Sequence, residues 1–474
     1  MIRVGNAAAA PEFAVAADQA LANVQLRRNV RHATEVIRGK RALVVAESDD
    51  WQALRESGRQ IKAHVLRHLD SYLEAFEENC TRAGGHVHWA ADADGANRII
   101  VDIIRSHGEQ EVIKVKTMTS DETRLNAALE GAGIAPHETD LADLIIQLGN
   151  DTPSHIVVPA LHRNRAEIRE IFRQKMGLPD LGGEPHDLTT AARQYLREKF
   201  LRVPVGFSGA NFLIAETGAV CVVESEGNGR MCLTLPRVLI TLAGIEKVIP
   251  ALRDLEVFLQ LLPRSATGER MNPYNTLWAG TTPGDGPEEF HIVLLDNGRT
   301  RVLADPVSRE TLQCIRCAAC LNACPVYRQT GGHAYGSIYS GPIGAILTPQ
   351  LQGMQHSTSL PYASSLCGAC YEVCPVKINI PEILIHLRRR IVEGGAPLGE
   401  RMGMKGAALA FSSPAWLRRA QMIGRFLQRP FRKGDQLAHL PGLFAAWTRT
   451  RDLPALPAQS FRDWWAARER GGAS

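Results

Sequence analysis

The stretch CIRCAACLNACP, residues 314–325, sets four cysteines and a proline close together, and CGACYEVCP at 367–375 repeats its later part. Cys314, Cys317, Cys320 and Cys324, followed by Pro325, have the C-x2-C-x2-C-x3-C-P spacing of bacterial iron–sulfur proteins. The spacing has a geometric reason. The first three cysteines can wrap one face of a cubane, while the fourth points away to a different cluster and the proline turns the chain. Such a run requires a second one. Cys367, Cys370 and Cys374, followed by Pro375, supply it, and Ser364 stands where a full copy would carry its first cysteine.

Crosswise ligation assigns Cys314, Cys317, Cys320 and Cys374 to cluster one and Cys324, Cys367 and Cys370 to cluster two. Seven thiolates then serve two clusters that ideally take eight. The expected cofactors are [4Fe-4S] for cluster one and [4Fe-4S] or [3Fe-4S] for cluster two. An open iron site, a three-iron cluster or Ser364 as ligand each satisfies the count. His333 and His386 carry a suitable donor atom, but a lone histidine in such a setting is more often an ordinary polar residue. A pair of zinc sites is the competing reading, and structural zinc prefers separated C-x2-C pairs or added histidines.

A chain of 474 residues is too long for one hydrophobic core and implies two or three domains. Hydrophobic residues at 45% and charged ones at 22% are ordinary for a globular protein, and a net charge of +4 gives no reason to expect nucleic acid. The longest apolar runs, such as Ile156 to Leu161 and Leu239 to Ile245, fall far short of the roughly 20 residues of a membrane helix. The N-terminal MIRVGNAAAAPEF is interrupted by Pro11 and Glu12, and no apolar segment follows the Arg27-Arg28 pair, so a cytoplasmic protein is expected. Seven of ten cysteines lie between 314 and 374, which is unlike a disulfide framework. Cys80, Cys221 and Cys232 lie elsewhere and read as small buried hydrophobes.

Before the cysteines, GGHVHWAADADGANRIIVDIIRSHG and QEVIKVKT alternate strand, helix and strand, an α/β pattern. Thr119 to Glu122 has the form of a capping box before Leu125, and Ile156 to Pro159 and Val220 to Glu224 look like further strands. WAGTTPGDGP, with Gly280, Gly284 and Gly286, reads as a plain turn region. Asp305-Pro306 resembles the start of a helix through SRETLQC, and Pro381 opens another with Ile383, Leu384, Leu387 and Ile391 on one face. Arg388, Arg389 and Arg390 on it read as a solvated face.

Three segments, KVKTMTSDETRLNAALEGAGI, ETDLADLIIQLGNDTPSHIVVPALH and IAETGAVCVVESEGNGRM, together with GGHAYGSIYSGPIGAILTP, LCGACYEVCPVKINIPEIL and LPALPAQSFRDWW, resemble the lactate utilisation protein B family. The resemblance covers almost the whole chain. It implies an α/β LUD domain, similar to sugar isomerases and CoA transferases, then an α-helical di-cluster ferredoxin-like domain and a helical C-terminal extension. The expected divisions are an N-terminal helical segment 1–65, the LUD domain 66–297, the ferredoxin-like domain 298–395 and the extension 396–474. The resemblance also implies electron transfer during oxidation of L-lactate to pyruvate, allowing growth on lactate. Its partners would be the cysteine-rich lactate utilisation protein A and the LUD-domain lactate utilisation protein C, with an unknown electron acceptor. Within the LUD stretches Lys116, Ser154, His155, His162, Glu216 and Thr217 are polar candidates, each more often structural than catalytic. The sequence carries no flavin or nicotinamide fingerprint, so no hydride acceptor is assigned. The alternative is a LUD domain that is itself a lactate-oxidising or acyl-handling enzyme with built-in clusters.

Overall fold

The computed structural model describes residues 12–395, 398–448 and 451–470, so most of the N-terminal stretch relevant to secretion lies outside the described residues. The chain divides into two compact units, one reaching Ile391 and the other starting at Val392.

In the first unit, β1 (Gly85–Ala90), the helix Ala93–Ser106 and β2 (Glu111–Lys114) form in the expected order. Asp92 caps the helix by accepting the Gly95 N–H at 2.8 Å. There follow β3 (Ala135–Glu138), β4 (Val205–Ser208), β5 (Phe212–Ile214), β6 (Ala219–Glu224), β7 (Val238–Gly244), β8 (Val248–Ile249), β9 (Tyr274–Trp278) and β10 (Glu289–Leu295). Six of these make a parallel sheet in the order β1-β10-β7-β4-β2-β3. All of β7 is buried, which explains why VLITLAG is continuously apolar: a parallel sheet has both faces covered. Ile100, Ile104, Leu125 and Leu129 cover one face over Ile240 and Leu242. Leu69, Leu73 and Phe76 cover the other over Leu239, Phe290 and Ile292. A smaller sheet runs β8-β5-β6-β9.

The topology locates a crevice. From β2 the chain moves outward to β3, whereas from β4 it moves the opposite way to β7 and β10. Because β2 and β4 are neighbours, their connections part, and doubly wound sheets open a binding crevice beyond the strands' carboxyl ends at such a point.

The N-terminal helices Phe13–Ala22, Val24–Ala46 and Trp51–Arg67 pack onto the cysteine-rich segment. Val30 and Trp51 share a buried core with Phe258, Leu261, Ile315, Tyr327, Val376 and Leu387. The helix Ile380–Glu393 forms as expected, burying Ile383, Leu384 and Leu387, while Ile391 is only half-buried.

Several local expectations are corrected. Thr117, not Thr119, caps the helix Met118–Thr123, because Arg124 at φ 54° ends that helix and Leu125 begins another. Ile156–Pro159 is not a strand but an irregular loop, its backbone N–H groups at Val157 and Val158 donated to His155 rather than to a ladder. Asp305 accepts from the Val307 and Ser308 N–H groups in the turn before the helix, but Val307 is the N-cap and Ser308–Gln313 is a 3-10 helix. Arg389 and Arg390 are exposed as expected, whereas Arg388 is half-buried: Nε donates to Pro361 O at 2.9 Å and Nη2 to Ser364 O at 3.3 Å.

The second unit contains the helices Leu398–Phe411, Pro414–Leu427 and Phe461–Arg470 and a small antiparallel sheet of Arg432–Lys433, Gln436–Leu437 and Leu453–Pro454. Gln428 ties it together, donating to Leu456 O at 3.0 Å and accepting from Leu456 N at 2.7 Å. Among the described residues no helix is long and apolar enough to cross a membrane.

Candidate metal centre

The two cysteine runs form two copies of one backbone loop. Arg316 and Ala318 have φ of 63° and 61°, and the matching Leu366 and Gly368 have 55° and 84°. These left-handed residues turn each C-x2-C segment sharply, a conformation that costs Arg, Ala and Leu energy and that glycine adopts freely. Each loop leads into a short helix, Ala319–Ala323 or Ala369–Val373, and the two helices pack together. Cys324 and Cys374 end them with ψ of 121° and 120°. Ser364 occupies the place of Cys314: Arg316 N–H donates to Cys314 Sγ at 3.4 Å, and Leu366 N–H donates to Ser364 Oγ at 3.1 Å.

The thiols of the two runs crowd one another. Burial pushes Cys374 up to about 11 and Cys370 up to about 12, and raises Cys317, Cys320 and Cys324 as well. Mutual repulsion adds to this. Cys314, Cys317, Cys320 and Cys374 act on one another, and so do Cys324, Cys367 and Cys370, with Cys320 and Cys370 interacting across the sets. All ten cysteines are free. Cys80, Cys221 and Cys232 are buried, as expected for packing residues.

This donor set fits two iron–sulfur clusters. Crowded, mostly buried thiols are costly to ionise alone, and bound iron supplies the positive charge that lets them deprotonate. Backbone N–H groups already point at sulfur, from Tyr327 to Cys324 at 3.5 Å and from Ile378 to Cys374 at 3.3 Å. Such donors stabilise charge on cluster sulfur.

Cations surround the first set. Arg55, from the helix Trp51–Arg67, donates to Cys374 O at 2.9 and 2.7 Å and to Tyr371 O at 3.1 Å. Arg41 reaches Val373 O at 3.1 Å. Both meet the carboxyl end of the helix Ala369–Val373, where cations are favoured. Arg316 lies 4.9 Å from the Tyr339 ring centroid and binds Glu246 at 3.2 Å. Glu246 also binds Arg299 at 2.5 Å, and Arg299 binds Glu122 at 2.8 Å. Burial pushes Glu246 up, but Arg299, Arg316 and Lys247 overcome it and hold the carboxyl at about 2.

The polar candidates of the LUD stretches are mostly structural. Ser154 Oγ lies 2.7 Å from His162 Nδ1, and His162 Nε2 lies 2.9 Å from Asp151, an order that suggests a nucleophile. Ser154 is wholly buried, however, its Oγ lies 3.1 Å from Pro159 O, and its own carbonyl accepts the Tyr327 hydroxyl at 2.7 Å. The group braces a loop against the cysteine-rich segment. His155 Nδ1 accepts from Val157 and Val158, which assigns the proton to Nε2 and hence a hydrogen bond to Asn322 Oδ1 at 3.2 Å. Burial, with Lys116 nearby, pushes His155 down to about 3. Thr217 accepts from Ala219 N–H within the β5–β6 hairpin, and Glu216 accepts from Leu252 N–H, tying that hairpin's turn to the start of the helix Leu252–Ala266. Lys116 donates to Val157 O at 2.9 Å at the edge of the crevice. His333 and His386 engage Thr152 O and Asp305 through Nε2, each at 2.8 Å.

An α/β sheet domain joined to a doubled cysteine loop defines the class, an α/β protein carrying a dicluster module. Residues 73–295 match the LUD domain, 310–378 the 4Fe-4S dicluster domain and 388–470 the C-terminal region of lactate utilisation protein B. Lactate utilization protein B of Bacillus licheniformis is 43% identical over 456 residues, 95% of each chain. That of Bacillus velezensis is 43% identical over 475 residues, 99% of this chain and 98% of its own. The chain belongs to the lactate utilisation protein B family. A DUF162-family structure from Deinococcus radiodurans aligns with 48% of this chain and 98% of its own at 12% identity, and its TM-score of 0.28 carries no weight for the fold.

Proposed function

We propose that the chain is an iron–sulfur electron carrier in the oxidation of L-lactate to pyruvate. Cys314, Cys317, Cys320 and Cys374 hold one [4Fe-4S] cluster, and Cys324, Cys367 and Cys370 hold a second, [4Fe-4S] or [3Fe-4S]. The observation that carries this reading is the doubled loop, two matching left-handed turns whose thiols interact within the two sets of crosswise ligation and, at Cys320 and Cys370, also across them. Bound clusters supply uptake and release of single electrons. The chain's own residues adapt the two sets to different surroundings. Arg41, Arg55 and Arg316 place positive charge by the first set, which favours its reduced form. Cys367 is exposed, with Tyr362, Leu366 and Tyr371 exposed near it in sequence, so the second set suits exchange with a docked acceptor. The relatives' names support the link to lactate. The same reading gives the cysteine-rich lactate utilisation protein A and the LUD-domain lactate utilisation protein C as partners, a cytoplasmic location, and divisions near residues 65, 297 and 395.

The test is anaerobic reconstitution of the wild type and of Ser364→Cys. The wild type should hold roughly seven to eight irons with acid-labile sulfide. Ser364→Cys should complete the second set, raise any three-iron content to four, and lower that centre's potential, since a fourth thiolate disfavours the added electron. Stoichiometric zinc with negligible sulfide would refute the carrier reading. Unchanged iron and potentials in the variant would remove Ser364 from the fourth position.

A further inference from the structure

Beyond the carboxyl ends of β2 and β4, where the sheet's connections part, lies a cavity of about 430 Å³. Lys116 and Thr117 reach it from the end of β2, Asn211 from the end of β4, and Lys247 from the short 3-10 helix Ile245–Lys247. Arg316 lines it from the first cysteine loop. The cavity therefore extends from the sheet to the residues beside Cys314.

Two cations in its wall have unused donors. Lys247 is 8% exposed and makes no hydrogen bond or ion pair among the described residues. The Arg316 side chain is also 8% exposed; Nη2 binds Glu246 and the guanidinium faces the Cys314 thiol, whereas Nη1 is buried without an oxygen or nitrogen acceptor. A buried charged donor without an acceptor has given up its hydration for nothing, so such groups are rare unless a ligand meets them. Here one such donor, Arg316 Nη1, shares the cavity with the unpaired Lys247 ammonium, and both act electrostatically on Cys314.

The rest of the lining limits the ligand. Glu246 is already engaged by Arg299 and Arg316, but Asp140, Glu224, Glu226 and Glu269 also line the cavity. One negative group is favoured between Lys247 and Arg316, while a second would meet carboxylates. Thr117, Asn211 and Asn272 offer neutral polar groups, and Ile156, Val157 and Leu262 an apolar wall. Such a mixed lining, with a few placed polar groups, is typical of small-molecule sites.

We infer that this cavity binds a small organic monocarboxylate, its carboxylate held by Lys247 and Arg316 beside the Cys314 loop. Binding itself does not depend on the proposed function; only the redox readout rests on that reading. A negative charge seated there disfavours reduction of the centre held by Cys314, and by linkage reduction weakens the anion's binding.

The experiment uses the reconstituted full chain, with iron content measured first so that cluster loading is judged separately. L-lactate, pyruvate, succinate and inorganic phosphate are titrated by calorimetry, and the midpoint potentials are measured with and without each. One saturable site for the monocarboxylates is expected, with a lower potential for the first centre and no change in the second. Lys247→Gln should weaken binding about tenfold or more, while Lys247→Arg, which keeps the charge, should stay close to the wild type. If Lys247→Gln fails to load iron, the wild-type competition series decides alone. Succinate or phosphate binding more tightly than both monocarboxylates overturns the inference. So does normal iron loading without anion binding, which leaves the carrier reading intact, or undiminished affinity in a folded Lys247→Gln protein.

Discussion

Replacing Cys320 and Cys324 singly with serine is expected to remove two different clusters, although both residues lie in one short helical stretch. Cys320 interacts with three thiols of the first set, Cys314, Cys317 and Cys374, and with Cys370 of the second, whereas Cys324 interacts with Cys367 across the repeat. Cys320 lies in the first turn of the helix Ala319–Ala323 and Cys324 just past its end, so the fourth cysteine leaves the loop that holds the first three. Each variant should retain roughly half the iron of the wild type, with a different centre missing from its electron paramagnetic resonance spectrum. The Cys320 variant should keep the centre held by Cys324, Cys367 and Cys370, and the Cys324 variant the other. Loss of the same signal in both would show that the crosswise sorting is wrong.

Arg299→Met should cost about 3–5 kcal/mol in unfolding free energy, the usual penalty for breaking a buried ion pair from one side. Arg299 is 1% exposed and bridges Glu122 and Glu246, and the Tyr339 hydroxyl also binds Glu122 at 2.6 Å. Removing the guanidinium leaves buried carboxylates that a methionine of similar length cannot satisfy. The pH dependence has a definite sign. Glu246 titrates at about 2 in the folded chain against an ordinary 4.5, so its contribution is complete above 4.5 and is lost as pH falls through about 2. The variant should lose stability at a higher pH than the wild type, because the largest force holding Glu246 down is gone. Urea unfolding at neutral and acidic pH measures both effects. A cost below about 1 kcal/mol would mean that the network does not anchor the loop containing Arg316.

The cysteine loops were legible because cluster ligation imposes a spacing that few other chemistries share, and Ser364 stood out only against that spacing. The strands β1, β2 and β6 were legible through short apolar runs, and the helix Ile380–Glu393 through its 3.6-residue period. Ile156–Pro159 misled because an apolar run in a loop braced by His155 has the composition of a strand without its ladder. Thr119 misled because a capping pattern also occurs inside a helix whose true cap is two residues earlier. Arg41, Arg55 and Lys247 carried no local signal. Their importance comes from what the fold sets beside them, backbone carbonyls far along the chain for the two arginines and a distant cavity wall for Lys247, which a single sequence does not display. Arg316 could have been noticed, since it lies between two cysteines, but its cavity is formed by strand ends scattered from Val115 to Asn272.

Oxidation of a 2-hydroxy acid removes two electrons together with protons, and each cubane ordinarily accepts one electron, so under the proposed function the carbon chemistry falls to a partner. The most direct measurement is the visible spectrum of the reconstituted chain on anaerobic addition of L-lactate, first alone and then with lactate utilisation proteins A and C. The predicted result is no useful bleaching of the iron–sulfur absorption by the chain alone, and bleaching once the partners are present. Reduction of an artificial dye by L-lactate and this chain alone, at a rate the partners do not change, would contradict it and make the LUD domain the enzyme.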